Sequence, residues 1–414
     1  MASTESLRET ILSLPIVDTH THLRASTDFA HPVTAYTLLN SSGCLRALWV
    51  VSGALTRQEY RQFKSLDDWE SLSPAIDCVK NTAFYRILLS GLRELYKIDF
   101  DEVDAVSLDD LGQSISRAYR DRGWYGKVLK DKSGLDVICQ DSRQQFDRKL
   151  FTPVARMDDY VLFGRAGWDG RVLERHGADR TSSLDGLVCC LEEDFSAAMS
   201  DGAAAIKSNL CWGRTLSFEP VGEAAANDAF AICRSSECDG RREKLLGDFV
   251  MERIARLCAE HNVPLQIHTG PAGGVDHVVG YGNPLNLNNL ILRNPETSFV
   301  LFHAGGPFVR ESAALATQFP NVYLDLCGVL GNQYLKRILD DWIEMVPLNK
   351  LMWGTDVNTV EESYAMVRNF RKVLSELLVE RVRSGYFSLA TAEEWARAIT
   401  AGNAKRVLRL PASR

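Results

Sequence analysis

The chain has 414 residues, of which 45% are hydrophobic and 24% are charged, and its formal net charge is −7. This profile is typical of a globular protein that is long enough for one large barrel or two medium-sized domains. No long block of Lys or Arg is present, which argues against a nucleic-acid partner and against an anionic membrane surface.

Cysteine usage and hydropathy indicate the cellular compartment. The ten cysteines are scattered and form no CxxC pair, so we expect all of them to be thiols in a reducing cytosol. The N-terminus lacks the apolar centre of a secretory signal, and no apolar run approaches the ~20 residues that span a bilayer. We therefore expect a soluble, cytoplasmic protein without a membrane partner, and we also expect a homo-oligomer.

Short apolar, β-branched runs alternate with helical stretches along the chain, which is typical of a parallel α/β protein. Eight runs have this character: residues 14–20, 137–139, 152–155, 203–208, 264–268, 298–303, 321–326 and 350–355. Several are almost continuously apolar, as expected for strands that are buried on both faces. The pattern predicts one (β/α)8 TIM barrel domain over residues 1–414.

One long segment interrupts the barrel spacing. More than a hundred residues separate the first run from the second, which is far more than a normal connection between barrel elements. Apolar residues at three- and four-residue spacing predict a helical insertion over residues 28–130, on the catalytic side of the barrel. Two roles stay open, a substrate lid and a packing or oligomerisation element. Residues 48–51 are a candidate strand within it.

The first run ends in the motif IVDTHTH, residues 16–22. His20 and His22 are two positions apart, so strand geometry directs both imidazoles to the same side, where they can reach one metal ion. In a barrel, the carboxyl ends of the strands carry the active site. The motif therefore predicts a metal site at this end.

Three later runs end in the same way. PLQIHTG places His268 after an apolar strand, SFVLFHAGG places His303 there, and KLMWGTD ends in Asp356, a candidate carboxylate ligand or base. A single histidine after a strand is usually structural. Such side chains at four separate strand ends predict a shared metal site.

These motifs together resemble the amidohydrolase superfamily. HTG, HAGGP and WGTD are similar to its amidohydrolase-2 branch, and most similar to FluG-type N-terminal domains related to nodulins; the long insertion also resembles that of uronate isomerases. The resemblance implies one divalent metal ion, zinc or alternatively manganese, held by His20, His22, His268 and Asp356. It further implies that His303 binds the metal-activated water as general base or electrostatic anchor, and that Asp356 carries its proton to the leaving group.

The state of Lys207, at the end of the fourth run, would determine whether the site binds one metal ion or two. Binuclear members of the superfamily carry a carboxylated lysine at this place as a bridging ligand. The alternative is an uncarboxylated Lys207 that binds a substrate carboxylate. The amidohydrolase-2 branch generally binds one metal, which favours the second interpretation. Arg156, Arg214 and Arg310 also follow strand ends and are candidate clamps for an anionic small-molecule substrate, although each could equally be a surface or salt-bridge arginine.

Four functions are compatible with these residues. Hydrolysis of a C–N (amide-type) bond in a small carboxylate-bearing substrate is the leading hypothesis, with His303 and Asp356 as catalytic residues. Non-oxidative decarboxylation, a lyase reaction of the same branch, is the alternative. The insertion alone suggests uronate-type isomerisation, and a non-catalytic scaffold barrel is the fourth. All five ligand-type residues are present, which argues for an enzyme.

Overall fold

A computed structural model describes residues 2–29, 32–99, 102–141, 146–165, 169–235, 238–271, 273–329 and 331–411. Its centre is a parallel sheet of eight strands, each hydrogen-bonded to the next in chain order. The strands are β1 (Ile16–Thr21), β2 (Leu135–Asp141), β3 (Thr152–Arg156), β4 (Ile206–Ser208), β5 (Leu265–Ile267), β6 (Phe299–Leu301), β7 (Val322–Asp325) and β8 (Leu351–Met352). Each overlaps one of the eight predicted runs, so the predicted strand order is confirmed.

The two edges of the sheet meet and form a barrel. The amide of Thr19 in β1 donates to the carbonyl oxygen of Trp353 (3.3 Å), and the amide of Asp356 donates to that of His20 (2.9 Å). These contacts join β1 to the segment that follows β8. The chain therefore has the predicted (β/α)8 architecture.

Helix α1 precedes the first strand, and the other helices connect the strands or follow the last one. Their bounds are α1 (Ala2–Ser13), α2 (Ala35–Ser41), α3 (Gly43–Val51), α4 (Arg57–Arg61), α5 (Trp69–Val79), α6 (Ala83–Tyr96), α7 (Ala105–Ala118), α8 (Trp124–Gly126), α9 (Asp158–Val161), α10 (Asp169–His176), α11 (Leu184–Ser200), α12 (Glu223–Arg234), α13 (Gly240–Glu260), α14 (Asn288–Arg293), α15 (Val309–Gln318), α16 (Asn332–Met345), α17 (Val360–Arg383), α18 (Leu389–Arg397) and α19 (Asn403–Val407). None of the helices described here combines the length and the apolar character that crossing a bilayer requires.

Helix α17 begins immediately after the loop that follows β8, and local chemistry explains its first residue. The side chain of Thr359 accepts a hydrogen bond from the amide of Glu362, and the Glu362 carboxylate accepts from the amide of Thr359 (3.0 Å). This reciprocal capping box satisfies amides that the helix itself cannot pair. The cap determines where the loop after β8, which contains Asp356, ends and the helix begins.

The predicted helical insertion is present as helices α2–α8, between β1 and β2. It has its own apolar core, in which Trp49, Leu72 and Tyr85 are buried, separate from the core between the barrel and its outer helices. The candidate strand at residues 48–51 is wrong, because this segment lies within α3. Within this segment Trp49 is buried in the helical layer and Val51 is 70% exposed, and the edges of the sheet are already paired with each other.

Glu361 in α17 joins the insertion to the barrel. Its buried carboxylate accepts hydrogen bonds from the hydroxyls of Tyr96 (2.6 Å) and Tyr119 (3.0 Å) and from the indole N–H of Trp124 (3.2 Å). Burial raises the pKa of Glu361 above its ordinary value, and the hydrogen bonds partly offset this. The insertion is therefore fastened to the barrel by polar contacts as well as by apolar packing.

The amino-terminal end of the barrel contains a buried lysine. Lys350, just before β8, is 7% exposed, and its ammonium donates to the carbonyl oxygens of Phe319 (3.1 Å), Pro320 (2.6 Å) and Val322 (3.0 Å). Burial lowers its pKa to about 8. Its three donors meet three backbone acceptors, so Lys350 ties the start of β8 to the segment leading into β7.

The expectation that every cysteine is a free thiol is wrong for one pair. Cys233 and Cys238 are joined by a disulfide. The first lies in the last turn of α12 and the second just before α13, so the short connection between these packed helices brings the sulfur atoms together. The other eight cysteines are free.

Candidate active site

Two histidines at the end of β1 face each other. His20 lies in the strand and His22 directly follows it, and their Nε2 atoms are 3.0 Å apart. His22 Nδ1 is 2.9 Å from the carbonyl oxygen of Asp141, at the end of β2. Because a carbonyl oxygen only accepts, this contact places a ring proton on Nδ1 and directs Nε2 of His22 toward His20.

Asp356 follows β8 and forms a compact group with these histidines. Its Oδ1 atom lies 3.3 Å from His22 Nε2 and 3.6 Å from His20 Nε2. Burial opposes ionisation of Asp356, but the hydrogen bond with His22 and the neighbouring imidazoles hold its pKa well below the usual range. Burial also opposes the charged form of His22, yet Asp356 and Asp141 raise the pKa of His22. The space between Asp356 and His22 therefore favours a positively charged occupant, such as a proton or a metal ion.

A second pair of histidines follows β5 and β6. His303 Nε2 lies 3.0 Å from His268 Nδ1. The outer nitrogen of each ring meets a carbonyl oxygen, that of Cys327 for His303 (2.7 Å) and that of Pro271 for His268 (3.0 Å). Burial lowers the pKa of His303 to about 4 and that of His268 well below its ordinary value. In the neutral forms, His303 Nε2 and His268 Nδ1 therefore direct their lone pairs at each other.

The backbone at the site adopts costly conformations. His303, Ala304 and Asp356 have φ angles of 61°, 53° and 55°, in a region that costs non-glycine residues on the order of 1–3 kcal/mol each. A Cβ atom at Gly328 would lie 3.0 Å from Asp356 Oδ2 and 3.3 Å from His303 Nδ1. The close approach of these two side chains therefore requires glycine in the loop after β7.

The donor set fits a divalent metal ion. One ligand atom from each of His20, His22 and Asp356 lies within 4.8 Å of the other two. Imidazole nitrogen and carboxylate oxygen are the ligands that zinc and its neighbours prefer. Two imidazole nitrogens at 3.0 Å repel each other unless a proton or a cation lies between them. The buried Nδ1 of His20 has no hydrogen-bond partner among the described residues.

The structure separates His268 from the other predicted ligands. His268 lines the same cavity as His20, His22 and Asp356, but its ring nitrogens contact His303 and a backbone carbonyl. The ligand roles of all four residues therefore stay predictions, with three of them assembled into one group.

Sequence reasoning missed two neighbours of this group. The Sγ atom of Cys327 lies with His303 and Asp356 in a second cluster of potential ligand atoms, although burial raises the pKa of this thiol well above its ordinary value. Asp141 Oδ2 lies 3.8 Å from His20 Nε2. Asp141 ends the apolar run of β2, so the same strand-end rule that identified Asp356 could have identified it.

Two of the four predicted substrate-binding cations lie beside the site. Lys207 is fully buried in the barrel, with its ammonium hydrogen-bonded to Asn209 Oδ1 and 4.8 Å from the centre of the Phe302 ring. Arg156 makes a bidentate contact with Asp141, with Nε–Oδ1 and Nη2–Oδ2 distances of 2.8 and 2.6 Å. Both cations therefore already have protein partners.

The other two cations have structural positions, and the hypothesis of a clamp with Arg214 and Arg310 needs correction. Arg214 is buried and forms an ion pair with the buried carboxylate of Asp248 in α13. Arg310 lies in α15 with its side chain 82% exposed, 3.9 Å from Asp341. Each follows a strand end in sequence, but Arg310 already lies on the outer helix α15, and the side chain of Arg214 turns toward Asp248 in α13.

A cavity of about 570 Å³ opens above the metal-binding group. The insertion contributes one wall, which consists largely of apolar and aromatic side chains: Ala47, Leu48, Val51, Tyr60 and Phe84. The barrel loops contribute Asn209, Trp212 and His268 opposite it. Among the described residues that line this cavity there is no Lys or Arg. The insertion therefore contributes part of the lining of this cavity.

Comparisons with known proteins agree with this architecture. A family model described as amidohydrolase (Amidohydro_2) matches residues 225–410. Protein fluG of Emericella nidulans is 27% identical over 442 aligned residues, which cover 99% of this chain and 47% of fluG. The chain therefore spans about half the length of the curated relative that it matches.

Solved structures share the fold at low sequence identity. Uronate isomerase from Thermotoga maritima is 19% identical, with a TM-score of 0.84 and coverage of 98% of this chain and 97% of that protein. Glucuronate isomerase from Caulobacter crescentus is 16% identical, with a TM-score of 0.80 and coverage of 100% and 95%. Residues 225–410 therefore resemble the amidohydrolase family, the whole chain is similar to about half of fluG, and the solved structures share its barrel fold.

Proposed function

We propose that this protein is a metal-dependent hydrolase that cleaves an amide-type C–N bond in a small substrate. The observation that carries the proposal is the group of His20, His22 and Asp356 at the floor of the cavity, with ligand atoms within 4.8 Å of one another. One divalent ion held there, zinc first and manganese as the alternative, would acidify a bound water and polarise the scissile carbonyl.

His303 and Asp356 are the residues that we assign to proton transfer. Burial lowers the pKa of His303 to about 4, so its imidazole is neutral near pH 7 and can accept a proton from the attacking water. Asp356 Oδ2 lies 3.8 Å from His303 Nδ1. From this position the ionised carboxylate can relay the proton to the leaving nitrogen, which departs as a neutral amine. Hydrolysis of the amide thus consumes one water and yields a carboxylate, a neutral amine and one further proton, which His303 accepts and releases to solvent.

The cavity lining narrows the substrate class. The wall formed by Leu48, Val51 and Phe84 favours an apolar or aromatic group of the substrate. Such a wall offers few partners to the hydroxyls of a sugar acid, which weighs against an isomerase function. Arg156 is 24% exposed and, with Lys207, lies beside the metal-binding group. Both cations already have protein partners and neither lines the cavity, so a carboxylate-bearing substrate would have to bind through the proposed metal ion.

Decarboxylation is the second candidate, and the same wall favours it. Loss of carbon dioxide moves the negative charge of a substrate carboxylate onto carbon, which an acid in the site must then protonate, and a low-dielectric wall destabilises the localised carboxylate charge relative to the more dispersed charge of the transition state. An aromatic carboxylic acid would place its ring against Phe84 and its carboxylate toward His22 and Asp356. Hydrolysis and decarboxylation differ in product, so they can be separated directly.

The test is an assay of the metal-loaded protein with N-acyl and γ-glutamyl amides and with aromatic carboxylic acids, scored for released amine and for carbon dioxide. Amine release supports the proposal, whereas carbon dioxide release replaces it with decarboxylation. The variant His303→Asn should keep the metal and lose roughly 100-fold or more in kcat, as expected for removal of a general base. Exposed His261→Asn is the matched control and should behave as wild type.

A further inference from the structure

A second cavity, of about 580 Å³, lies between helices α1, α6, α16 and α17, away from the metal-binding group. We call it the interhelical cavity. It has nearly the volume of the candidate active site, about 570 Å³, and no residue lines both. Its wall combines a few apolar side chains, such as Leu12 and Ile87, with many charged and polar ones.

The charged side chains of this wall are mostly positive. Five cations line the cavity, and Glu94 is the one carboxylate among the described lining residues: Arg86, Lys132, Arg368, Arg371 and Lys372 are the cations. Glu94 forms an ion pair with Arg368, and Arg86 pairs with Glu102 at 2.8 Å. Lys132, Lys372 and Arg371 have no carboxylate partner in the described part of the chain, so the cavity carries unbalanced positive charge.

Arg371 and Asn369 provide unused hydrogen-bond donors. The guanidinium of Arg371 donates to the carbonyl oxygens of Ser133 (2.8 Å) and Leu14 (2.7 Å), while its buried Nε has no partner among the described residues. Asn369 is 8% exposed and lines the cavity, and its side chain makes no hydrogen bond within the described ranges. An unpaired buried polar group costs about 1–3 kcal/mol, so a ligand that pairs it gains affinity.

The start of α16 adds further donors. This helix has 14 residues and begins at Asn332, which lines the cavity. Its N-cap residue, Gly331, has no side chain, so no cap hydrogen bond satisfies the first amides of the helix. Free amides and the helix dipole at such an end attract anions. Positive charge, unused side-chain donors and an uncapped helix terminus thus meet in one cavity.

We propose that the interhelical cavity binds a small multivalent anion that bears phosphate or carboxylate groups. The lysines at the rim, Lys132 and Lys372, supply charge, and Asn369 and the amides of α16 supply directional hydrogen bonds. This site is separate from the one assigned to hydrolysis, so neither proposal depends on the other.

The cavity shares structural elements with the candidate active site. Helix α6 carries both Phe84, which lines the active-site cavity, and Arg86, which lines the interhelical cavity. A Cβ atom at Gly331 would lie 3.1 Å from that of Ala83, so the start of α16 packs closely on the start of α6. An anion that bridges α16 and α17 therefore holds the wall of the active site in place, and its binding should raise the melting temperature.

The experiment measures binding of inorganic phosphate and, separately, of tricarballylate to the metal-loaded full chain by calorimetry. The wild type should bind at least one of them saturably, and the tighter of the two identifies the anion class. The double variant Lys132→Glu/Lys372→Glu should lose roughly tenfold to 100-fold in affinity, or about 1.4–2.8 kcal/mol, because it replaces two cations of the cavity with carboxylates. Asn369→Leu keeps the volume and removes the buried donor, and it should also weaken binding.

Two controls make the result decisive. The double variant Lys149→Glu/Arg310→Glu makes the same change in net charge at exposed positions outside the cavity and should bind as wild type. The variant His20→Ala/His22→Ala should also retain binding, which separates this cavity from anion binding at the metal. The proposal is overturned if neither anion binds, if Lys132→Glu/Lys372→Glu binds as tightly as wild type, or if binding disappears with the metal-binding histidines.

Discussion

Each end of the barrel contains a buried lysine, and the two lysines differ in their hydrogen-bond partners and in the ionisable groups around them. At the amino-terminal end, Lys350 donates to three backbone carbonyls that lie 2.6–3.1 Å from its ammonium. At the carboxyl-terminal end, Lys207 has Asn209 Oδ1 as its close partner and interacts electrostatically with three histidines and Asp356. Burial and the charge of Arg156 lower the pKa of Lys207.

The comparison shows how the barrel separates stability from chemistry. Three acceptors match the three donors of Lys350, so its end of the barrel resembles an ordinary satisfied interior. The carboxyl-terminal end holds strained residues at His303 and Asp356 and an unpartnered ring nitrogen at His20. Such costs are typical of functional sites and are offset by packing elsewhere. Substitutions at the two ends should therefore affect different measurements.

The largest effect is expected from His20→Ala/His22→Ala. The wild type should carry about one divalent ion per chain, and the variant should lose it together with at least ~100-fold of its activity, because the ligand group is removed. Elemental analysis and the hydrolase assay measure both quantities. The fold should survive, because the variant removes ligands at the end where polar groups are least satisfied. Wild-type protein without metal would refute the proposed chemistry, and two ions per chain would support a carboxylated Lys207.

At the opposite end, Lys350→Met should lower the free energy of unfolding by about 2–4 kcal/mol, since three buried carbonyls lose their donors. Its metal content should not change. Denaturant unfolding and elemental analysis measure the two properties. Lys149→Met, at an exposed position whose side chain makes no hydrogen bond among the described residues, is the control and should change stability by less than ~0.5 kcal/mol. Metal loss in Lys350→Met would contradict the separation of the two ends.

Glu361→Gln tests whether the insertion is a third, separable region. Tyr96 and Trp124 donate to one carboxylate oxygen and Tyr119 donates to the other, so the substitution keeps the volume but places an amide N–H₂ against at least one of these donors. We expect a local loss of about 1–3 kcal/mol, seen as faster hydrogen exchange in α6–α8 while the barrel strands stay protected. Equal acceleration in the strands would instead show that the insertion and the barrel unfold as one unit. Exposed Glu393→Gln serves as the control.

The smallest effect is a pH dependence assigned to Lys350. Burial lowers its pKa in the folded state to about 8, against an ordinary value of 10.5. Between these values the unfolded chain binds more protons than the folded chain, so the contribution of Lys350 to stability rises with pH. We expect the difference in unfolding free energy between wild type and Lys350→Met to grow by about 1 kcal/mol from pH 8 to 10.5, allowing for solvent screening. A difference that shrinks over this range would show that the carbonyls hold the lysine charged.

Much of the barrel could be predicted because its signals are local. Each of the eight apolar runs overlaps a strand. Strands that are covered on both faces are almost continuously apolar, so local composition is enough to identify them. Likewise, His20 and His22 belong to one strand end, and their spacing determines that the two rings lie on one side. His303 and Asp356 followed from the same rule, applied to β6 and β8.

The substrate-binding cations could not be assigned in this way. Arg214 and Arg310 both follow strand ends, as Arg156 does, yet one pairs with Asp248 and the other is exposed on α15. Proximity in sequence to a strand end does not specify whether a long side chain turns toward the cavity or toward a neighbouring helix. That choice depends on partners that are distant in sequence. The disulfide between Cys233 and Cys238 depends in the same way on how α12 meets α13.

The sequence by itself determined the strand order, the place of the insertion and the identity of the side chains at the strand ends, because each depends on periodicity within a few residues. Only the tertiary structure decided that His268 faces His303 while Asp356 joins His20 and His22, and that an apolar wall from α3 and α6 covers them. The physical reason is that carbonyl contacts orient the rings of His22 and His303, and those carbonyls lie at or just after the ends of neighbouring strands, at Asp141 and Cys327.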